Sequence, residues 1–107
     1  MNLNNTKVTI NIDDREYLDW KICLKSKLKI LKSCNIEIDS KNLDLSCTDL
    51  SEIIKIANKY NCKIIGFCSI SSKTIISSKS LGYKSQFSIE KYSNRTLNIN
   101  DKHLTAP

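Results

Sequence analysis

The sequence predicts a small single-domain α/β protein, with elements in the order β-α-β-α-β-α-β and a mixed four-stranded sheet packed by helices. Short runs of alternating apolar and polar residues, the period of a half-buried strand, recur along the chain. Between them lie segments whose apolar residues return every three or four positions, the period of a helix. Strands alternating with helices imply crossover connections and a sheet that is parallel at least in part. A chain of 107 residues, 40% hydrophobic and 26% charged, is long enough for one core and too apolar for general disorder.

Residues 1–6 are polar and are expected to fray. Val8, Ile10 and Ile12 then alternate with Lys7, Thr9 and Asn11 as a first strand. Asp13 and Asp14 follow as a turn and N-cap, where a carboxylate meets unpaired helical amides. Residues 15–32 contain no glycine or proline and read as one long helix. Its Tyr17, Trp20, Leu24, Leu28 and Leu31 share the core face.

Ile36 and Ile38 alternate with Asn35, Glu37 and Asp39 in a second strand. Leu43 and Leu45 belong to a short extra strand or an ordered loop. The second helix opens at Cys47-Thr48-Asp49, with Asp49 and Glu52 as a variant capping box. Leu50, Ile53, Ile54, Ala57 and Tyr60 carry its apolar face, and Asn58 or Asn61 is suited to end it in the left-handed conformation. The continuous apolar run from Ile64 to Cys68 predicts a central strand buried on both faces. Residues 71–81, ending before Gly82, form the weakest helical pattern, because serines and the β-branched Thr74, Ile75 and Ile76 fill it. Phe87 and Ile89 alternate with Gln86 and Ser88 in a last strand. The domain is expected to span residues 1–91, with 92–107 a tail or the start of a linker. Gly66 and Gly82 are the only glycines, so other positive-φ turns should fall to asparagine or aspartate.

Cys23, Cys34, Cys47, Cys62 and Cys68 are odd in number and lack CxxC spacing, which indicates neither a disulfide framework nor a zinc site. No charged segment leads into an apolar run at the N-terminus, and no apolar stretch approaches membrane-spanning length, so the chain is expected in the cytoplasm with reduced thiols. Catalysis needs convergent groups of matched reactivity. The one histidine, His103, falls in the tail, and Gly66 stands alone rather than in a phosphate loop. The serine turn Ser69-Ile70-Ser71-Ser72 suits helix capping, and Asp13, Asp14, Asp44 and Asp49 lie near element boundaries. A non-enzyme without cofactor or metal is expected.

The net charge of +6 admits nucleic acid, an anionic membrane surface or an acidic protein as partner. Between Lys21 and Lys32 there are five lysines and no acid. Lys21, Lys25, Lys29 and Lys32 share one flank of the first helix, and Leu18 and Ile22 fall within that flank, away from the core. Exposed aliphatics framed by cations suit a protein contact with an apolar centre and charged rim. A plain solvated helix face is the alternative for any such charge run. Nucleic acid is disfavoured, because Arg15 and Arg95 are the only arginines and the helix aromatics face inward.

The order of elements, with two local segments, resembles the N-terminal domain of the MinC family of septum-site-determining proteins, with a cyanobacterial character. One segment is Leu24-Lys25-Ser26-Lys27-Leu28 followed by the Asn35 to Asp39 strand. The other covers 50–60, the strand from Cys62 to Phe67, Thr74, and Leu81-Gly82-Tyr83. The resemblance extends over residues 7–90 and rests on order and spacing together. It implies a cell-division inhibitor that binds FtsZ, the tubulin-like division protein, and blocks its polymerisation. It also implies a separate C-terminal β-helical domain that binds the ATPase MinD, which nothing in residues 91–107 could supply. By position in the family's segment, Lys27 contributes to the FtsZ contact, although it lies on the opposite edge of the core stripe from Lys21 and Lys25. The partner-binding candidates are therefore Leu18, Lys21, Ile22, Lys25, Lys27, Lys29 and Lys32. A different class with a similar α/β plan, the anti-sigma-factor antagonists, is switched by phosphorylation of a serine at a helix N-terminus. Ser71 or Ser72 would fill that role, though the Asp-Ser pair usual there is missing.

Overall fold

The computed structural model describes residues 7–88. Four strands and three helices follow in the expected order: β1 (Lys7–Asn11), α1 (Trp20–Lys29), β2 (Asn35–Asp39), α2 (Cys47–Lys59), β3 (Lys63–Ser69), α3 (Ser72–Ser80) and β4 (Lys84–Phe87). The strands lie in the sheet in chain order, β1-β2-β3-β4. The fold is the α/β domain expected from the sequence, with one refinement. All three strand pairings are parallel, where a mixed sheet was expected. Every connection is a helical crossover, which returns the chain to the same end of the sheet, whereas an antiparallel pair needs a direct return.

Right-handed crossovers between successive neighbouring strands place α1, α2 and α3 on one face of the sheet, and α2 packs between the other two helices. Toward them point the apolar rows Val8–Ile36–Ile64 and Ile10–Ile38–Phe67. These meet Leu24 and Leu28 of α1 and Leu50, Ile53, Ile56 and Ala57 of α2 in one core. Phe67 is fully buried, and Tyr83 packs edge-on against it with ring centroids 5.4 Å apart. The opposite face carries polar rows, Thr9–Glu37–Gly66–Lys84 and Asn11–Asp39–Cys68–Gln86. Glu37 is held there by Lys7 and by the Thr9 hydroxyl, and Asp39 accepts a hydrogen bond from Ser88. Ile65 is the extra residue where the β2–β3 register shifts. Gly66 lets β3 and β4 approach, since a Cβ there would sit 3.1 Å from the Lys84 carbonyl oxygen.

Element ends depart from the sequence reading more than element interiors do. The first helix is ten residues long, not 15–32, and Asp19 caps it by accepting from the Ile22 amide at 2.9 Å. Asp13 and Asp14 form the expected turn but are not the cap. Asp13 accepts instead from the Asn42 amide, and Asp14 from the Glu16 amide. Tyr17 therefore precedes the helix; Cys23, Leu24 and Leu28 are its buried residues, and Trp20 and Leu31 pack partly buried against the same core, as expected. The capping box of α2 is Ser46 with Asp49, not Asp49 with Glu52. A serine followed three residues later by an acid satisfies two end amides reciprocally.

The Leu43–Leu45 segment is an ordered loop, with Leu45 buried. Asn61 takes the left-handed conformation after α2, whereas Asn58 stays helical. Gly82 does the same after α3, at φ +87°. Lys41 is an exception to the expected use of asparagine and aspartate, at φ +44°. The Asp39 carboxylate holds it, accepting from its backbone amide at 3.1 Å and lying 3.7 Å from its ammonium. The last strand begins at Lys84, earlier than the alternation suggested. Ile89, the tail from residue 92, His103 and residues 1–6 lie outside the described residues.

Candidate functional site

Leu18, immediately before the α1 cap, is 93% exposed, and Ile22 in its first turn is 42% exposed. Lys21, Lys25 and Lys29 lie on the same outer flank of α1, and Lys32 follows beyond its end, all four exposed. Helical spacing therefore carries Lys21, Ile22, Lys25 and Lys29 on one flank, whereas Leu18 before the cap and Lys32 beyond the end fall outside the helix on which they were projected. The Lys21 ammonium lies 5.7 Å from the Trp20 ring centroid, which holds its stem along the helix. The ion pairs among the described residues are Lys7–Glu37, Lys27–Asp14 and Lys41–Asp39. None involves the flank lysines, whose charge has no ion-pair partner among the described residues.

Lys27 is placed differently from the rest. Its ammonium donates to the Asn11 carbonyl oxygen at 2.8 Å and to the Asp14 carboxylate at 3.2 Å, and stands 5.9 Å from the Tyr17 ring centroid. It fastens α1 to the end of β1 and to the loop between them. The Asp14 carboxyl is lowered from its ordinary value, first by the Glu16 amide and then by Lys27. The lysine singled out by the family resemblance thus has its donors directed into the chain.

A neighbouring feature that the sequence did not single out is a groove of about 600 Å³ between α1 and α2. Lys25 lines it from α1, and Glu52, Lys55, Ile56, Lys59 and Tyr60 line it from α2. The only signal in the sequence was the pair Lys55 and Lys59, one helical turn apart beside Tyr60. A larger cavity of about 760 Å³ runs beside β4, with Lys7, Glu37, Lys79, Tyr83 and Lys84 among its lining. Its one acid, Glu37, is already engaged by Lys7 and Thr9.

At the C-terminal ends of the strands the serine turn is consumed by structure. Ser71 caps α3 by accepting from the Thr74 amide and donates to Asp44. Ser69 donates to the Lys41 carbonyl oxygen and accepts from the Ser71 amide. Ser71 is buried, whereas Ser72 is exposed. The five cysteines are free thiols. Burial raises the Cys23 thiol, and burial followed by the adjoining Cys62 raises Cys34. Among the described residues no three histidine, cysteine or acidic side chains converge as a metal-ligand group, and no helix is long and apolar enough to cross a membrane.

The chain matches no protein-family model, no curated protein sequence and no solved structure.

Proposed function

We propose that this protein is a cytoplasmic cell-division inhibitor that binds FtsZ through the outer flank of α1 and catalyses nothing. The observation that carries the proposal is the exposure of Ile22 among the α1 lysines, with Leu18 exposed just ahead of the helix cap, these lysines having no ion-pair partner among the described residues. An apolar centre desolvates on contact, and surrounding cations speed encounter with an acidic surface and set its orientation. FtsZ is proposed as that acidic partner on the sequence resemblance to the MinC family. MinD enters only if a C-terminal domain is supplied elsewhere. Nucleic acid fits less well, because the basic residues of the α1 flank are all lysines and none can read bases or phosphates bidentately as arginine does.

The serine-switch alternative loses one of its two candidates, since the Ser71 hydroxyl is buried and committed to Asp44 and the helix end. Polymer sedimentation tests the proposal. Added protein should lower the fraction of FtsZ that pellets with nucleotide, in a dose-dependent way. Unchanged pelleting at molar excess, together with phosphate incorporation at Ser72, would turn the assignment to the alternative.

A further inference from the structure

We propose that the α1–α2 groove is a docking site for an acidic peptide segment carrying one large apolar side chain. This rests on the protein-binding role proposed for α1 and adds to it the second wall of the contact and the chemistry of its occupant. The groove holds about 600 Å³, enough for a few residues of chain rather than a whole domain surface. Its base is the half-buried Tyr60 ring, with the outer edge of the core residue Ile56 beside it. Around that base stand three ammonium groups, Lys25 from α1 and Lys55 and Lys59 from α2, against the single carboxylate of Glu52.

None of these lysines forms an ion pair among the described residues, so the groove presents an uncompensated positive rim above an apolar base. Carboxylates would be held at the rim as exposed, salt-sensitive pairs, while the apolar side chain displaces water chiefly from the Tyr60 ring. Lys55 and Lys59 are four residues apart, hence about 6 Å along the helix axis. That rise is close to the spacing of alternate residues in an extended chain, about 6.5 Å. One extended segment can therefore set two acids against both lysines. An oligonucleotide is the weaker occupant, because Tyr60 is half-buried and no other aromatic lines the groove for base stacking.

The test titrates the protein against a fluorescein-labelled pentapeptide with acids at positions one and three, leucine at position five and serine between them, so that all three side chains share one face of the extended chain, and follows polarisation. Saturable binding that weakens steeply with added salt is expected. Replacing the peptide leucine by serine should weaken it at least several-fold. The double variant Lys55→Glu and Lys59→Gln, whose exposed side chains leave the core untouched, should weaken it at least tenfold with an unchanged melting curve. Three results would overturn the site: undiminished binding by the double variant, equal binding of the serine peptide, or tighter binding of a single-stranded oligonucleotide. Because this assay contains no FtsZ, the two proposals separate. Peptide binding without FtsZ inhibition keeps the groove and removes FtsZ, and inhibition without peptide binding does the reverse.

Discussion

Lys27 reaches from α1 to the Asn11 carbonyl oxygen and the Asp14 carboxylate, a polar tie between α1 and the end of β1 beside the apolar packing of Leu24 and Leu28. Because Asp14 is more acidic in the fold than in an unfolded chain, its contribution to stability is fully present above about pH 4. It is lost as the pH falls through the lower value that the fold imposes. Replacing Lys27 by methionine should move the Asp14 carboxyl part of the way back up, since the Glu16 amide still donates to it. Carbon-detected NMR titration measures this, and an unmoved Asp14 would mean that the lysine has no hold on it. Leu28, the next residue along the helix, is completely buried. Leu28→Ala should destabilise the protein by about 2–5 kcal/mol in denaturant melts, as large-to-small core changes do. A loss below about 1 kcal/mol would contradict the packing described for α1.

Elements are joined by hydrogen bonds that the chain pattern did not announce. Thr74 of α3 donates its hydroxyl to the Leu43 carbonyl oxygen at 2.7 Å and accepts from the Leu45 amide at 2.8 Å, which pins the loop between β2 and α2 onto α3. Thr74→Val keeps the shape and leaves both backbone groups unpaired, which should cost about 1–3 kcal/mol. A denaturation midpoint equal to wild type would show that water replaces the hydroxyl. Helix and strand interiors were legible because burial imposes a period, as in Leu50, Ile53 and Ala57. Their ends were not. Asp13, Asp14 and Asp19 are all good caps by residue type, and the choice fell to Asp19 because the other two are engaged by Asn42, Glu16 and Lys27. Residues 71–81 read poorly as a helix because serines compete for backbone bonds, yet Ser71 and Ser78 place theirs at the N-cap and on the Ile75 carbonyl oxygen.

Across the whole molecule, a parallel sheet covered by helices on one face puts α1 and α2 side by side and gathers their lysines on one surface. The α1 half of that surface was legible, because charge and helical period lie within one stretch of chain. The α2 half was not, because Lys55 and Lys59 come beside Lys25 only when the crossovers have closed. Sedimentation of FtsZ polymers with the double variant Lys21→Glu and Lys25→Glu tests the central claim most directly. Both side chains are exposed, so each change should alter stability by no more than about 0.5 kcal/mol. Reversing two rim charges acts chiefly on the rate of association and its salt dependence. Lys27→Glu is the competing variant, and it should weaken the fold by setting a carboxylate against Asp14. The account predicts that the double variant stays folded and leaves FtsZ in the pellet where wild type releases it. Full inhibition by the double variant, or its loss only in a folded Lys27→Glu protein, would contradict the α1 flank as the contact.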